Sequence, residues 1–136
     1  NSVHKQRVII PACFKKKFSE TAGKSVVVTR GPNNTIAIYP IDNWKDTLER
    51  LKAGDDKSKQ LRTQLIDFAM MEQDLEGPGR VRIHEMLLSE ADITDSVIIK
   101  GEGHYISLWN PKVYHATRAK KLDIHRAQFT SEDYQI

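Results

Sequence analysis

Arg7-Val-Ile-Ile-Pro11 returns in altered form as Arg80-Val-Arg-Ile-His84 in the second half of the chain. Two further segments recur in the same order: Val26-Val-Val-Thr-Arg30-Gly31 matches Ser96-Val-Ile-Ile-Lys100-Gly101, and Thr35-Ile-Ala-Ile-Tyr39 matches Tyr105-Ile-Ser-Leu-Trp109. The spacing between equivalent positions shortens once, after the arginines, so a single loop is shorter in the second copy, as duplication predicts. The sequence therefore predicts an internal repeat.

Each copy is predicted to run strand, helix, hairpin, helix. The β-branched run 7–10 favours a strand, and Pro11 suits the start of a helix. That helix would carry three lysines on its exposed side, Lys15, Lys16 and Lys17. Gly, Pro and Asn between 30 and 34 suit the turn of a hairpin.

The second helix of the first copy follows from spacing. Trp44, Leu48 and Leu51 recur at helical intervals, and Asp42 is suited to cap that helix. In the second copy the same plan predicts a strand at 80–83, a short helix near 85–90, a hairpin at 97–109 and a helix from 111.

We expect the first repeat to span 1–51 and the second 72–118, with a linker and bridging helix at 52–71 and a polar C-terminal tail at 119–136. Ser58 is expected to cap the bridging helix, which would pack across both copies. Three short strands are too few to make either copy stable alone. The predicted fold class is α+β: duplicated strand-helix-hairpin-helix units that form one pseudo-twofold, barrel-like domain.

The composition is that of a soluble globular protein, with 39% hydrophobic and 29% charged residues. No apolar run approaches the roughly 20 residues that cross a bilayer, and the start lacks the apolar core of a signal peptide. We expect a cytoplasmic protein. Because the chain begins without methionine close to the first motif, a few native residues are expected to precede Asn1.

The charge is unevenly distributed along the chain. The net charge is only +3, but residues 1–70 hold 13 Lys and Arg against 7 Asp and Glu, whereas residues 71–136 hold 8 against 11. A phosphate-facing surface would therefore draw mainly on the first half.

Few residues suggest catalysis or metal binding. The single cysteine, Cys13, follows Pro11 in an apolar stretch and is predicted to be buried and structural. The five histidines lack zinc-protease spacing, and Gly77-Pro-Gly-Arg80 lacks the Lys-Ser/Thr ending of a P-loop and is predicted to be a tight turn. Trp44 and Tyr114 could stack on bases, but core packing is the better interpretation. We expect no enzyme, cofactor or metal site.

Arg7 and Arg80 each follow a polar, turn-prone segment and open a strand. A guanidinium projecting from such a loop tip can reach phosphates or the O6/N7 edge of guanine. The alternative is a surface salt bridge, most simply between Arg80 and Glu76.

The repeated pattern resembles the MraZ family. It is carried by Lys5-Gln-Arg7-Val-Ile-Ile-Pro11, Thr29-Arg-Gly31, Ile38-Tyr-Pro40 with Trp44, and Glu76 to Arg80-Val-Arg-Ile, and it covers residues 3 to about 118. The resemblance implies an AbrB-like swapped-hairpin fold and ring oligomers. It also implies regulation of the bacterial division and cell-wall gene cluster through repeated promoter sites.

In this family the loops with an acidic residue, three residues and arginine contact DNA. Arg7 and Arg80 match, and Glu76 supplies the second acidic position, whereas Val3 stands at the first. Gly79 keeps the family's glycine, Gln6 replaces it in the first loop, and His84 replaces the second proline. Together with the exposed lysines after Pro11, these loops give the predicted DNA-binding residues: Lys5, Gln6, Arg7, Lys15, Lys16, Glu76, Gly79 and Arg80.

The expected partners are double-stranded DNA carrying promoter repeats and further copies of the chain in a ring, on the nucleoid, with no membrane and no small-molecule substrate. An alternative is a ring-forming interaction module, or an AbrB-like antitoxin whose tail binds a protein.

Overall fold

The computed structural model describes residues 1–16, 18 and 23–135. The strands are β1 (Val3–His4), β2 (Arg7–Ile9), β3 (Ser25–Arg30), β4 (Ile36–Pro40), β5 (Gln73–Asp74), β6 (Arg80–Arg82), β7 (Ile98–Gly101) and β8 (Ile106–Trp109). The α-helices are α1 (Ala12–Lys15), α2 (Ile41–Lys52), α3 (Asp56–Phe68), α4 (Glu85–Glu90) and α5 (Pro111–Gln128), and a 3₁₀ turn covers Pro32–Asn34.

The strands form two antiparallel sheets. The smaller has the order β1-β2-β6, and the larger has the order β5-β3-β4-β8-β7. The predicted mixture of helices and antiparallel strands is therefore what the chain adopts.

Strand alternation divides the core into two layers. Val26 and Val28 of β3 belong to a first cluster that also contains Val8 of β2 and Val81 of β6, so this cluster lies between the two sheets. Val27 of β3 belongs instead to a second cluster, together with residues of β4, α2 and α3: Ala37, Tyr39, Ile41, Trp44 and Leu65. The helices α2 and α3 thus cover one face of the larger sheet, and the smaller sheet covers the other.

The registers of both sheets follow the equivalences seen in the sequence. Where β4 meets β8, Ala37 lies opposite Ser107, its counterpart in the second copy. Where β2 meets β6, Val8 lies opposite Val81, which is likewise its counterpart. Each central pairing is centred on two residues that the repeat makes equivalent.

The short strands β1 and β5 were not predicted, and each pairs with a distant segment. Asp74 and Gln73 of β5 pair with Ser25 and Val26 of β3. The N-terminal arm is held by a bridge between Ser2 and Ser96. We call the loops that precede Arg7 and Arg80 the first and second arginine loops. The segment before each loop pairs with the start of a hairpin from the other half of the sequence.

Two predicted helix caps were wrong. Pro40 is the N-cap of α2, which places Asp42 in the first turn. Asp55 caps α3 by accepting a hydrogen bond from the Ser58 backbone N–H at 2.9 Å, so Ser58 is already helical. The polar stretch between the helices is correspondingly shorter than predicted, and α3 packs with Leu65 in the second core cluster.

Two further expectations concern α1 and the tail. Cys13 is exposed, which contradicts its prediction as a buried residue, because α1 is a single turn with no fully buried side chain. Lys17 lies outside the described residues. The helix that starts at Pro111 continues to Gln128 and so includes much of the segment predicted as a polar tail.

Candidate functional site

The outer face of the smaller sheet carries three arginines. In β6 the central Val81 is buried while Arg80 and Arg82 are exposed, and in β2 Val8 is buried while Ile9 is half exposed at 50%. Because side chains alternate between the two faces of a strand, Arg7 and Ile9 point away from the core like Arg80 and Arg82. We call these four residues the arginine face.

The register places the members of the arginine face beside one another. Arg7 lies opposite Arg82, and Ile9 lies opposite Arg80. Arg7 and Arg80 are therefore diagonal neighbours, whose Cα atoms in such a pairing are typically about 7–8 Å apart. Both arginines open a strand, as predicted, and the pairing of β2 with β6 brings them together on one face, which the sequence analysis did not predict.

The first arginine loop is a two-residue hairpin turn. His4 pairs with Arg7, and the intervening Lys5 and Gln6 have φ values of 49° and 63°. Positive φ at both central residues defines a type I′ turn, which normally prefers Asn and Gly. The Arg7 Nη1 atom donates a hydrogen bond to the Lys5 carbonyl at 3.4 Å, so the guanidinium turns back over the loop.

Val3 stands where the second loop has its carboxylate, and it has a packing role. Its side chain packs against the first core cluster, and its backbone N–H donates to the Asp95 carbonyl at 2.9 Å. The first loop therefore has an apolar anchor in place of an acidic partner for Arg7.

The second loop is closed differently. The Glu76 carbonyl accepts hydrogen bonds from the Gly79 N–H at 3.0 Å and the Arg80 N–H at 2.7 Å, which leaves three residues between the paired positions. Gly77 and Gly79 have φ values of 52° and 112°. The Arg80 guanidinium lies over Gly77, where an added Cβ would be 2.9 Å from its Nη2 atom.

The salt-bridge alternative for Arg80 is not what the structure adopts. In the described part of the chain the two ion pairs are Arg30–Glu90 at 3.5 Å and Lys100–Glu102 at 3.4 Å. Glu76 and Arg80 contact each other through their backbones. Within the same residues, no carboxylate neutralises Arg7, Arg80 or Arg82.

Lys15, the last residue of α1, and Lys16, directly after it, differ in their surroundings. The Lys15 Nζ atom donates a hydrogen bond to the Pro78 carbonyl, and its side chain lies against Gly79. Lys15 therefore supports the second loop and is only partly exposed, although the sequence predicted an exposed position. Lys16 is exposed.

Sequence reasoning missed Arg82 and the residue that holds it. The Gln73 side-chain amide accepts a hydrogen bond from the Arg82 N–H and donates one to the Arg82 carbonyl, both at 2.9 Å. These bonds satisfy the edge of β6 that faces away from β2. The alternation in Arg80-Val-Arg82 was the available signal, since it places both arginines on one side of a strand.

A groove lies on the other side of the larger sheet. It has a volume of about 850 Å³ and is lined by α2, α3 and both hairpin turns. Tyr39 and Tyr105 stack there with ring centres 5.0 Å apart, and Arg30 lies 5.5 Å above the Phe68 ring. Burial, aided by the neighbouring Tyr105, raises the pKa of Tyr39 to about 12.

Trp44 and Tyr114 follow the predicted core interpretation to different degrees. Trp44 is buried in the second core cluster, and Tyr114 is half-buried against Trp109 with ring centres 5.6 Å apart. Among the described residues, no three His, Cys, Asp or Glu side chains gather as metal ligands. No helix in this part of the chain is both long and apolar enough to span a membrane.

Comparison of the sequence with known proteins shows the family of the chain. Residues 4–67 match the model described as "MraZ protein, putative antitoxin-like". The transcriptional regulator MraZ of Caldanaerobacter subterraneus subsp. tengcongensis is 33% identical over 112 residues, covering 81% of this chain and 76% of that protein. The chain belongs to the MraZ family.

Other MraZ proteins align over more of the chain. The transcriptional regulator MraZ of Thiobacillus denitrificans is 28% identical over 131 residues, which cover 94% of this chain and 88% of the relative. That of Polaromonas sp. is 25% identical over 118 residues, covering 87% and 82%. The similarity to MraZ proteins thus extends well past the first arginine loop.

Proposed function

We propose that this chain is a sequence-specific DNA-binding regulator that acts on repeated promoter sites of the bacterial division and cell-wall gene cluster, in the cytoplasm and on the nucleoid. One observation carries the DNA contact. Three outward arginines share the face of a small sheet, and no carboxylate within the described residues pairs with them. Arginine is suited to bidentate contact with phosphate oxygens and with guanine.

We further propose that the domain is a duplicated, pseudo-twofold and barrel-like unit. Support comes from the two central strand pairings, each of which is centred on a residue and its counterpart in the other copy. A twofold relation requires equivalent residues to face each other at its axis, as Val8 and Val81 do. It would present Arg7 and Arg80 to one duplex in opposite orientations.

A ring of copies is the proposed source of affinity. With a net charge of only +3, one chain gains little from general attraction to DNA. Several linked arginine faces on repeated sites would bind much more tightly, because each later contact becomes intramolecular. Spacing between the promoter repeats would then contribute to specificity.

The two loops are proposed to contribute unequally. Lys5 is an exposed cation within the Arg7 loop, whereas Glu76 places a negative charge beside Arg80. We assign mainly phosphate contact to the Arg7 loop and orientation over the bases to the Arg80 loop.

A second candidate is binding of a protein partner through the C-terminal segment, as an interaction module or AbrB-like antitoxin would do. Its support is that α5 has no buried residue among those described, and that large apolar side chains are exposed on α5 (Leu122 and Ile124) and after it (Phe129 and Tyr134). Deleting residues 119–136 separates the two functions, since DNA binding should survive while partner binding is lost.

The proposed function is tested by fluorescence anisotropy with the full chain. Promoter DNA with repeated guanine-rich boxes is compared with scrambled DNA at low and high salt, using wild type, Arg7→Ala, Arg80→Ala and the control Lys45→Ala on α2. We expect wild type to prefer promoter DNA. Arg80→Ala should lose this preference, Arg7→Ala should weaken binding to both duplexes, and the control should bind like wild type. Equal affinity for both duplexes would refute specific regulation, and a steep salt dependence without preference would indicate electrostatic attraction alone.

A further inference from the structure

We infer that the arginine face is divided, with Arg7 and Arg82 clamping a single DNA phosphate and Arg80, beside Ile9, facing a base edge or sugar. This rests on the proposed DNA binding and adds a residue, Arg82, that is not one of the two loop arginines. It also assigns different chemistry to the two halves of a face that the repeat would make equal.

The first step concerns how closely Arg7 and Arg82 approach. The backbone N–H of Ile83 donates to the Gln6 carbonyl at 2.8 Å, and that of Ile10 donates to the Gly79 carbonyl at 2.9 Å. Hydrogen-bonded and non-hydrogen-bonded pairs alternate along an antiparallel ladder, so Arg7–Arg82 and Ile9–Arg80 are non-hydrogen-bonded pairs. Side chains of such pairs start closest together, so the Arg7 and Arg82 side chains leave the sheet from neighbouring positions on one face.

The second step concerns what holds the pair in place. The Arg82 backbone is fixed on its outer edge by the two hydrogen bonds to Gln73, and Arg7 is fixed by its pairing with His4. Like charges directly opposite each other in a sheet are unfavourable. No carboxylate in the described part of the chain relieves this repulsion, whereas one phosphate between the guanidiniums would accept hydrogen bonds from both.

The third step concerns the other half of the face. The repeat makes Ile9 equivalent to Arg82, so Arg80 lies opposite an apolar side chain that is 50% exposed. An isoleucine cannot bind phosphate, but it can contact a sugar or the methyl group of thymine. Arg80 is then the single cation of its half and is free to face a guanine edge.

The test is a double-mutant cycle in promoter-DNA binding by the full chain. Arg82→Ile copies the equivalent position and suits a strand, and Lys45→Ala on α2 is the control that removes one positive charge. We expect Arg82→Ile to weaken binding about tenfold and to reduce the salt-dependence slope by less than about 0.9 for each engaged protomer, because Arg7 still contacts the shared phosphate. Lys45→Ala should change neither quantity.

Coupling between arginines identifies the clamp. If Arg7 and Arg82 share one phosphate, the Arg7→Ala/Arg82→Ile double variant should lose less affinity than the product of the single losses, whereas Arg80→Ala/Arg82→Ile should be additive. Additivity of Arg7 with Arg82, or coupling of Arg80 with Arg82, would overturn the division of the face. An Arg82→Ile variant that binds like wild type would overturn the role of Arg82 while leaving the proposed function intact.

Thermal unfolding without DNA tests whether Arg82→Ile weakens binding only because it destabilises the protein. Removing one of two opposed cations should leave the midpoint of Arg82→Ile equal to or above that of wild type. If the midpoint falls, Arg82→Gln replaces Arg82→Ile in the same cycle with the same expectations.

Excess inorganic phosphate at constant ionic strength should compete only weakly with DNA, because a duplex engages several phosphates at once. Strong competition would indicate a site for free phosphate and would overturn the assignment to DNA.

Discussion

Replacement of Gly79 by alanine should destabilise the second arginine loop by about 2 kcal/mol. A φ of 112° lies outside the regions that L-residues favour, and residues forced into such conformations cost about 1–3 kcal/mol. The new Cβ would lie 2.9 Å from Lys15 Cδ and 3.3 Å from the Ile10 carbonyl oxygen. If Lys15 moves away, its hydrogen bond to the Pro78 carbonyl is lost, which costs about 1 kcal/mol. Alanine also restricts the unfolded chain, which offsets about 0.4–1 kcal/mol of the destabilisation.

The matched control is Gly103→Ala in the turn between β7 and β8. Gly103 also has a positive φ, 93°, but an added Cβ there meets nothing within 4 Å. Urea unfolding, followed by the fluorescence of the buried Trp44 and Trp109 at one fixed protein concentration, measures both variants. Gly103→Ala should lose only the backbone part, so Gly79→Ala should be less stable than Gly103→Ala by about 1 kcal/mol.

Function should separate the two variants further. Gly79→Ala displaces the strand start that carries Arg80 and should weaken binding to promoter DNA, whereas Gly103→Ala should bind like wild type. A Gly79→Ala variant that is no less stable than Gly103→Ala would refute the packing argument, because the contacts with Lys15 and Ile10 would then carry no energy.

Three further outcomes are expected. Gln6→Gly should stabilise the protein in urea by about 0.5–1 kcal/mol, because φ 63° strains a non-glycine residue; unchanged or lower stability would count against a strained turn. Because the pKa of Tyr39 is raised to about 12, the unfolded chain loses the Tyr39 proton first, and the free energy of unfolding should fall by about 2–3 kcal/mol in all between pH 10 and pH 12. Tyr39→Phe lacks this titration, so its free energy of unfolding should fall less than that of wild type from about pH 9 to about pH 11. An identical pH dependence of the two proteins would contradict this. Cys13 should react with a maleimide nearly as fast in the native protein as in the urea-unfolded chain, and protection of the thiol would show that it is covered.

Local sequence patterns were sufficient to predict the two hairpins and the helices α4 and α5. The helix predicted near 85–90 is α4, Glu85–Glu90, and the helix predicted from Pro111 begins there. Both hairpins lie where β-branched runs flank turn residues, because those signals act over a few neighbouring residues.

Features that depend on distant segments could not be predicted in this way. The two-residue strand β5 exists because Asp74 pairs with Ser25 from far earlier in the chain, an interaction reinforced by a side-chain hydrogen bond of 2.6 Å. The choice of Asp55 over Ser58 as the cap of α3 turns on three residues, close to the usual uncertainty of a helix start. Exposure of Cys13 depends on which side of a one-turn helix the sheets happen to cover.

The sequence predicted only Arg7 and Arg80 of the arginine face, because the register between β2 and β6 decides which side chains share it. A shift of one residue between β2 and β6 would turn Arg80 and Arg82 toward the core and Val81 toward solvent. Burial of Val8 and Val81 fixes that register and so fixes which guanidiniums are neighbours.

The register also explains how Arg7 is positioned although Val3 stands where the family has an acidic residue. In a loop with a carboxylate, the acid can hold the arginine by direct attraction. Here Val3 packs against the first core cluster, so the position of Arg7 depends on the backbone pairing with His4 on one side and the opposition of Arg82 on the other. Orientation by backbone geometry leaves the positive charge of Arg7 uncompensated within the described residues, and an uncompensated pair of arginines binds a phosphate more strongly than an arginine already shared with a carboxylate.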